Sequence, residues 1–264
     1  RLADAEPIIV DTDAANGFRL RPEQLAEAIS NRTRALIINS PCNPTGTAYA
    51  RADWEALGEV LAVHPDVFII TDDMYEHIYW GAEPFCSLLT ACPELSDRTL
   101  TVNGVSKCYA MTGWRIGYAA GPKSVIEAMT TLQSQSTTNA CTISQAAAVA
   151  GLNGDQSALT EMCAAFKDRH DYVNQRLNGL PGFDCRPCEG TFYAFPNIEQ
   201  AIRLVGVEND IDFCEQLLEE QNVALVPGSA FGAPGHLRLS FAASRETLEI
   251  ALNRIEIFIR RINK

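Results

Sequence analysis

Three consecutive stretches decide the architecture: Ala35-Leu36-Ile37-Ile38-Asn39, then Ala52–Val63, then Val67-Phe68-Ile69-Ile70-Thr71. The first and third are short runs that are apolar at odd and even positions alike, which suits strands buried on both faces. The middle stretch carries Trp54, Leu57 and Leu61 at i, i+3 and i+7, one face of a helix. Doubly buried strands separated by amphipathic helices imply an α/β fold built on a mainly parallel sheet.

The same alternation continues outward. Ile8–Val10 reads as a strand, and Pro22 before Gln24–Ile29 as a short helix with proline in its first turn. Leu100–Asn103 and Ile116–Ala120 read as further strands, Pro122–Leu132 and Thr142–Gly151 as further helices. Beyond these the pattern changes. Leu159–Leu177 predicts a long charged helix, followed by short strands near Thr191–Phe195, Ala224–Val226 and His236–Ser240. A last helix from Ser244 places Leu248, Leu252, Ile255, Ile259 and Ile262 on one face. This order predicts a large α/β domain over residues 1–160 and a smaller α+β domain over residues 161–264.

The chain has 264 residues, 47% of them hydrophobic, enough for a sizeable core. Its 21 Lys+Arg against 33 Asp+Glu give a net charge of −12, without a basic block, so a nucleic-acid partner is disfavoured. Apolar runs such as Val67–Ile70 are too short to cross a bilayer, so no membrane partner is expected. The nine cysteines are odd in number and scattered, and read as reduced thiols of a cytoplasmic protein rather than a disulfide framework. Cys185-Arg186-Pro187-Cys188 lacks a second paired motif nearby, so no metal site is expected; pairing with His170 or Cys163 has no support in the spacing.

Three chemically capable side chains share one address. Asn43 follows the strand Ala35–Asn39, Asp72 ends the strand Val67–Thr71, and Lys107 follows the strand Leu100–Asn103. Ligands of open parallel sheets bind outside the carboxyl ends of the strands. The surrounding motifs are Ser40-Pro41-Cys42-Asn43-Pro44-Thr45-Gly46, Thr71-Asp72-Asp73-Met74-Tyr75, Asn103-Gly104-Val105-Ser106-Lys107 and Met111-Thr112-Gly113-Trp114-Arg115-Ile116-Gly117. His236-Leu237-Arg238-Leu239-Ser240-Phe241 comes late in the chain.

In this order the motifs resemble those of the class I/II aminotransferases of fold type I, which use pyridoxal 5′-phosphate. The resemblance extends from about Ile8 to the last helix. The wording around Lys107, with Gln133-Ser134-Gln135-Ser136-Thr137-Thr138, looks most like the prokaryotic aspartate aminotransferase subgroup.

That resemblance implies roles that the chemistry of each residue supports. Lys107 becomes the Schiff-base lysine, and its amine the acid–base group that moves a proton from the substrate α-carbon. Asp72 keeps the pyridine nitrogen protonated by its negative charge. Tyr75 and Asn43 hydrogen-bond the cofactor's phenolic oxygen, and Asn43 also faces substrate. Arg115 binds the phosphate and Arg238 the substrate α-carboxylate, each by a planar guanidinium fork. Ser106 is a lesser phosphate contact. Asp73, where the family more often has Glu, reads as structural.

Two departures stand out. Gly104 occupies a position where many relatives carry a phosphate-binding serine, and Cys108 one where alanine is common. Relative to the family, the chain reads as lacking roughly the first third, with its glycine-rich phosphate loop and ring-stacking aromatic. A sheet edge and apolar surface are then expected to stand exposed. The implied activity is amino transfer between an L-amino acid, aspartate first, and a 2-oxo acid, 2-oxoglutarate first, by a homodimer. A lyase or synthase on the same fold, or a non-catalytic binding module, is the alternative. Pro227-Gly228-Ser229-Ala230-Phe231-Gly232 lacks the Lys-Ser/Thr of a phosphate cradle and reads as a domain loop near the substrate.

Overall fold

The computed structural model describes residues 4–260, so Ile262 of the last helix lies outside the described residues. The chain divides into two units. One takes the residues up to Pro41 together with Thr47–Leu159; the other takes Cys42–Gly46 and the residues from Thr160 onward.

In the first unit the order is α1 (Pro22–Ala28), β1 (Ala35–Asn39), α2 (Arg51–Ala62), β2 (Phe68–Asp72), α3 (Leu88–Ala91), β3 (Thr99–Gly104), β4 (Gly117–Ala120), α4 (Lys123–Ser134) and α5 (Thr142–Asn153). The strands form one sheet in the order β1-β2-β3-β4. The first three are parallel, with Asn39 opposite Asp72 and Asp72 opposite Val102; β4 returns antiparallel along β3. The carboxyl ends of β1, β2 and β3 therefore share one edge; Asp72 stands at it and Lys107 follows it.

Helix α2 forms where its apolar spacing falls. Trp54, Leu57 and Leu61 are all buried and pack with Leu25, Ile38 and Ile69 in one core cluster. Burying side chains of this size contributes roughly 1.5–3 kcal/mol each. The Asp53 carboxylate accepts the Ala50 N–H at 2.8 Å and closes the helix start. Past the other end Arg98 donates to the carbonyls of Leu61, His64 and Val67 at 2.6–2.9 Å, tying the last turn of α2 to the segment that leads into β2. The Trp54 indole N–H, which needs a partner once buried, donates to the Cys86 carbonyl at 2.8 Å.

The expected strand at Ile8–Val10 does not form. These residues are irregular, with Ile8 and Ile9 67% and 76% exposed. A β-branched run becomes a strand only where a neighbouring strand accepts its ladder, and no described strand lies beside this one. Elsewhere apolar side chains also face outward: Ile37 on the edge strand β1, Tyr118 on the edge strand β4, Leu132 on α4 and Ile143 on α5. No helix among the described residues is long and apolar enough to cross a membrane.

Helix α6 (Ser157–Asn178) runs from the first unit into the second. The second unit continues with β5 (Tyr193–Ala194), α7 (Glu199–Val205), α8 (Asp210–Gln221), β6 (Val226–Pro227), β7 (Leu237–Ser240) and α9 (Arg245–Arg260). Its small antiparallel sheet has the order β5-β7-β6. Leu248, Leu252, Ile255 and Ile259 of α9 are buried as their spacing requires. They share the interior with Phe213 of α8, which meets Phe183 at 6.2 Å and Phe258 at 5.2 Å in tilted and edge-on contacts.

Helices α7 and α8 were not read from the sequence. The Asn209 side chain starts α8 by accepting the N–H groups of Ile211 and Asp212, and Asn222 ends it in the left-handed conformation. The segment Cys42–Gly46, placed with the large domain in the sequence reading, groups instead with the second unit. The Gly46 carbonyl accepts the N–H groups of Glu189 and Gly190 at 3.2 and 3.0 Å, which ties this turn to the strand-bearing segment of the second unit.

Candidate functional site

Asp72 is the last residue of β2. Its main chain is locked: its carbonyl accepts from the Asn39 side-chain amide at 2.7 Å and the Ser40 N–H at 3.1 Å. Its carboxylate accepts the Met74 N–H at 3.1 Å, which turns the chain sharply past the sheet edge. The turn brings in Tyr75, whose ring is buried. Lys107 lies three residues past the end of β3, half-buried, with its Nζ 5.9 Å from the Tyr75 ring centroid. An ammonium at that distance from a phenol face is electrostatically favoured. The structure thus brings Lys107 and Tyr75 together beside the strand end that carries Asp72.

The Lys107 turn rests on a small apolar cluster of Val105, Ile116 and Ala148, with Tyr109 and Met111 packed against it. Ser106 is half-buried in the same turn. Gly104 is explained by space: an added Cβ would lie 3.0 Å from both the Ile116 carbonyl oxygen and the Met74 methyl. A serine there requires neighbouring atoms to shift, so this chain trades a hydroxyl for close approach of β3 and β4. Cys108 is buried, and burial pushes its thiol up to about 11, which leaves it a neutral packing group. Arg115 sits in the left-handed region at φ 56°, with its side chain exposed and Nη1 donating to the Thr112 carbonyl at 3.0 Å.

Asp73, beside the site, has an unusual environment. It is 3% exposed, and burial, reinforced by Glu76 and Asp72, pushes its carboxyl up to about 7 despite a hydrogen bond from Thr71. The folded state thus holds a proton that the unfolded chain releases above its ordinary value of 3.8. Stability is fully present below that value, falls as pH rises, and the loss is complete once pH passes about 7. Asp73→Asn is expected to flatten the thermal midpoint between pH 4 and 8 and to raise it by about 5 °C at pH 8. A variant curve parallel to that of the parent protein contradicts this assignment.

In the second unit Arg238 and Asn43 meet across 195 residues of sequence: Arg238 Nη1 donates to Asn43 Oδ1 at 2.8 Å. The guanidinium lies over Tyr193 at 4.5 Å and Phe231 at 4.9 Å. Its Nε–H is buried and has no hydrogen-bond partner, the one such side-chain atom among the described residues. A buried cationic donor without an acceptor is costly, and a ligand carboxylate would supply that acceptor through the guanidinium fork. The resemblance places Asn43 at both cofactor and substrate; in the structure its side-chain amide oxygen accepts from Arg238. The aromatic pair around Arg238 went unread. Phe231 belongs to the loop at Pro227–Gly232, and the buried Asp210 pins that loop by accepting the Ser229 N–H and hydroxyl at 2.7 and 2.8 Å.

No disulfide joins the described cysteines. Burial pushes Cys185 and Cys188 each up to about 12, far from a reactive thiolate. Among the described residues no group of three or more His, Cys, Asp or Glu side chains is placed to hold a metal ion.

Known proteins show the same arrangement of chain. A curated aspartate/prephenate aminotransferase of Nitrosomonas europaea is 48% identical over 260 residues, covering 96% of this chain and 66% of its own. The crystal structure of an aspartate aminotransferase from Rhizobium meliloti superposes with a TM-score of 0.92 at 47% identity, covering 97% of this chain and 65% of its own. An aromatic aminotransferase from Pyrococcus horikoshii gives a TM-score of 0.90 at 38% identity, over 99% of this chain and 69% of its own. The chain thus spans about two thirds of the length of the relatives it matches. Residues 1–255 match the family model Aminotransferase class I and II; with these relatives and this fold, the chain belongs to the class I and II aminotransferase family.

Proposed function

We propose that the whole protein carrying this chain is a pyridoxal phosphate-dependent transaminase that exchanges the amino group of aspartate with 2-oxoglutarate. Enzymes of this family depend on pyridoxal 5′-phosphate, and the donor set here suits that group. An amine, a phenol and a carboxylate stand at adjoining strand ends, and a guanidinium precedes β4. The observation that carries the reading is Lys107 Nζ beside the buried Tyr75 ring, next to the strand that ends at Asp72.

When bound, the cofactor supplies an aldehyde carbon for covalent capture of amines and a ring that accepts electrons. Lys107 would hold that carbon through Nζ until an incoming amine displaces it, and the freed amine would then carry a proton to and from the substrate α-carbon. The Asp72 carboxylate favours the protonated form of a nearby basic nitrogen. The Tyr75 hydroxyl donates to an anionic oxygen, and Arg115 presents a fork to phosphate. Arg238 grips the substrate α-carboxylate, with Nε as the donor awaiting it. Aspartate as substrate is favoured by the relatives named for it; one of them is also named for prephenate. The same reading makes the protein a cytoplasmic homodimer acting on small molecules, with neither nucleic acid nor membrane as partner.

The whole protein, supplied with pyridoxal phosphate, aspartate and 2-oxoglutarate, is expected to release oxaloacetate and glutamate in equal amounts. Release of ammonia or an elimination product, or no exchange at all, overturns the reading.

A further inference from the structure

Two arms hold Arg238, and one residue touches both. The first arm is the turn carrying Asn43. It is closed by the Gly46 N–H donating to the Cys42 carbonyl at 2.8 Å, with Gly46 at φ 69°. Cys188 is packed directly on this glycine: a Cβ added there would stand 2.6 Å from Cys188 Sγ. The neighbouring N–H groups of Glu189 and Gly190 hold the Gly46 carbonyl. The second arm is Tyr193, whose ring lies under the guanidinium. Cys188 Sγ is 3.6 Å from the Tyr193 carbonyl oxygen and 3.4 Å from that of Gly190, within reach of an S–H donor.

Cys188 is itself held from behind. Its N–H donates to His170 Nε2 at 3.1 Å. His170 is 5% exposed, and its Nδ1 lies 2.9 Å from an Asp171 carboxylate oxygen. That pair of contacts selects one tautomer, with the proton on Nδ1 facing Asp171 and the bare Nε2 facing Cys188. A histidine on α6 therefore serves as a fixed acceptor, and the cysteine it holds wedges both the Asn43 turn and the Tyr193 segment into place.

We propose that His170 and Cys188 are positioning residues for the Arg238–Asn43 clamp, setting its affinity for a substrate carboxylate without touching it. The proposal rests on the reading of Arg238 as the carboxylate-binding group. A guanidinium fork recognises a carboxylate only in a narrow range of geometry, so a small displacement of either arm is felt as lost binding.

The test uses the whole protein loaded with cofactor, with maleate as an unreactive dicarboxylate probe. In His170→Phe, which keeps the ring but loses the acceptor, and in Cys188→Ala, which empties the wedge, the Kd for maleate and the KM for aspartate are expected to rise about tenfold. The cofactor absorbance stays unchanged and kcat falls by less than about threefold. His170→Gln, whose side-chain oxygen can replace Nε2 as acceptor, is expected to stay within about twofold of the parent protein. Maleate affinity within twofold of the parent protein in both His170→Phe and Cys188→Ala overturns the proposal. So does an equal loss in His170→Gln, or a fall in kcat as large as the rise in KM. An Arg238→Leu variant that binds maleate normally would instead sink the reading of Arg238 itself, which keeps the two failures apart.

Discussion

Lys107→Ala in the whole protein is expected to lower kcat by about 10⁴-fold or more and to abolish the borohydride-fixable absorbance of the bound cofactor. The size follows from two losses at one atom. Positioned proton transfer is worth about 10²–10⁴ by itself, and the covalent hold on the cofactor is lost with it. The change is local: Lys107 is half-buried in a turn that rests on Val105, Ile116 and Ala148, none of which the substitution alters. The melting temperature should therefore move little while turnover collapses. A small exogenous amine is expected to restore part of the rate, because it can occupy the space of the missing Nζ and carry the same proton. Turnover within tenfold of the parent protein, or an unchanged spectrum, would remove Lys107 from the chemistry.

Arg238→Leu is expected to lower kcat/KM for aspartate and for 2-oxoglutarate by about 10²- to 10³-fold, since losing one partner of a buried charged pair costs about 2–5 kcal/mol. Both substrates carry the carboxylate that Arg238 is proposed to grip, so both should suffer alike. Arg238→Lys should recover little. An ammonium cannot lie flat between Tyr193 and Phe231 at 4.5 and 4.9 Å, nor present a fork while also reaching Asn43. Comparable losses for the two substrates, with the cofactor spectrum intact, place the defect at the carboxylate. A loss confined to one substrate, or none, contradicts the assignment.

The sequence alone carried the α/β plan, although the expected burial of both strand faces fails at β1, an edge strand that buries Ile38 and leaves Ile37 exposed. β1 and β2 are apolar on consecutive positions, and α2 and α9 repeat their large side chains at helical spacing; such patterns have few structural solutions. It also offered Asn43, Asp72 and Lys107 as candidates, because reactive side chains beside strand ends stand out in linear motifs; Tyr75, Arg115, Ser106 and Arg238 came through the resemblance of those motifs to the aminotransferases. The tertiary structure alone decided which neighbours each of them has. It left Ile8–Val10 without strand pairing, started α8 on an asparagine cap, and moved the Cys42–Gly46 turn into the second unit. It joined Asn43 to Arg238 across 195 residues and set Cys188 between Gly46 and Tyr193. The physical reason is range. Hydrophobic periodicity and turn chemistry act within a few residues, whereas cation–aromatic contacts, wedges and buried hydrogen bonds exist only after distant segments have folded against one another.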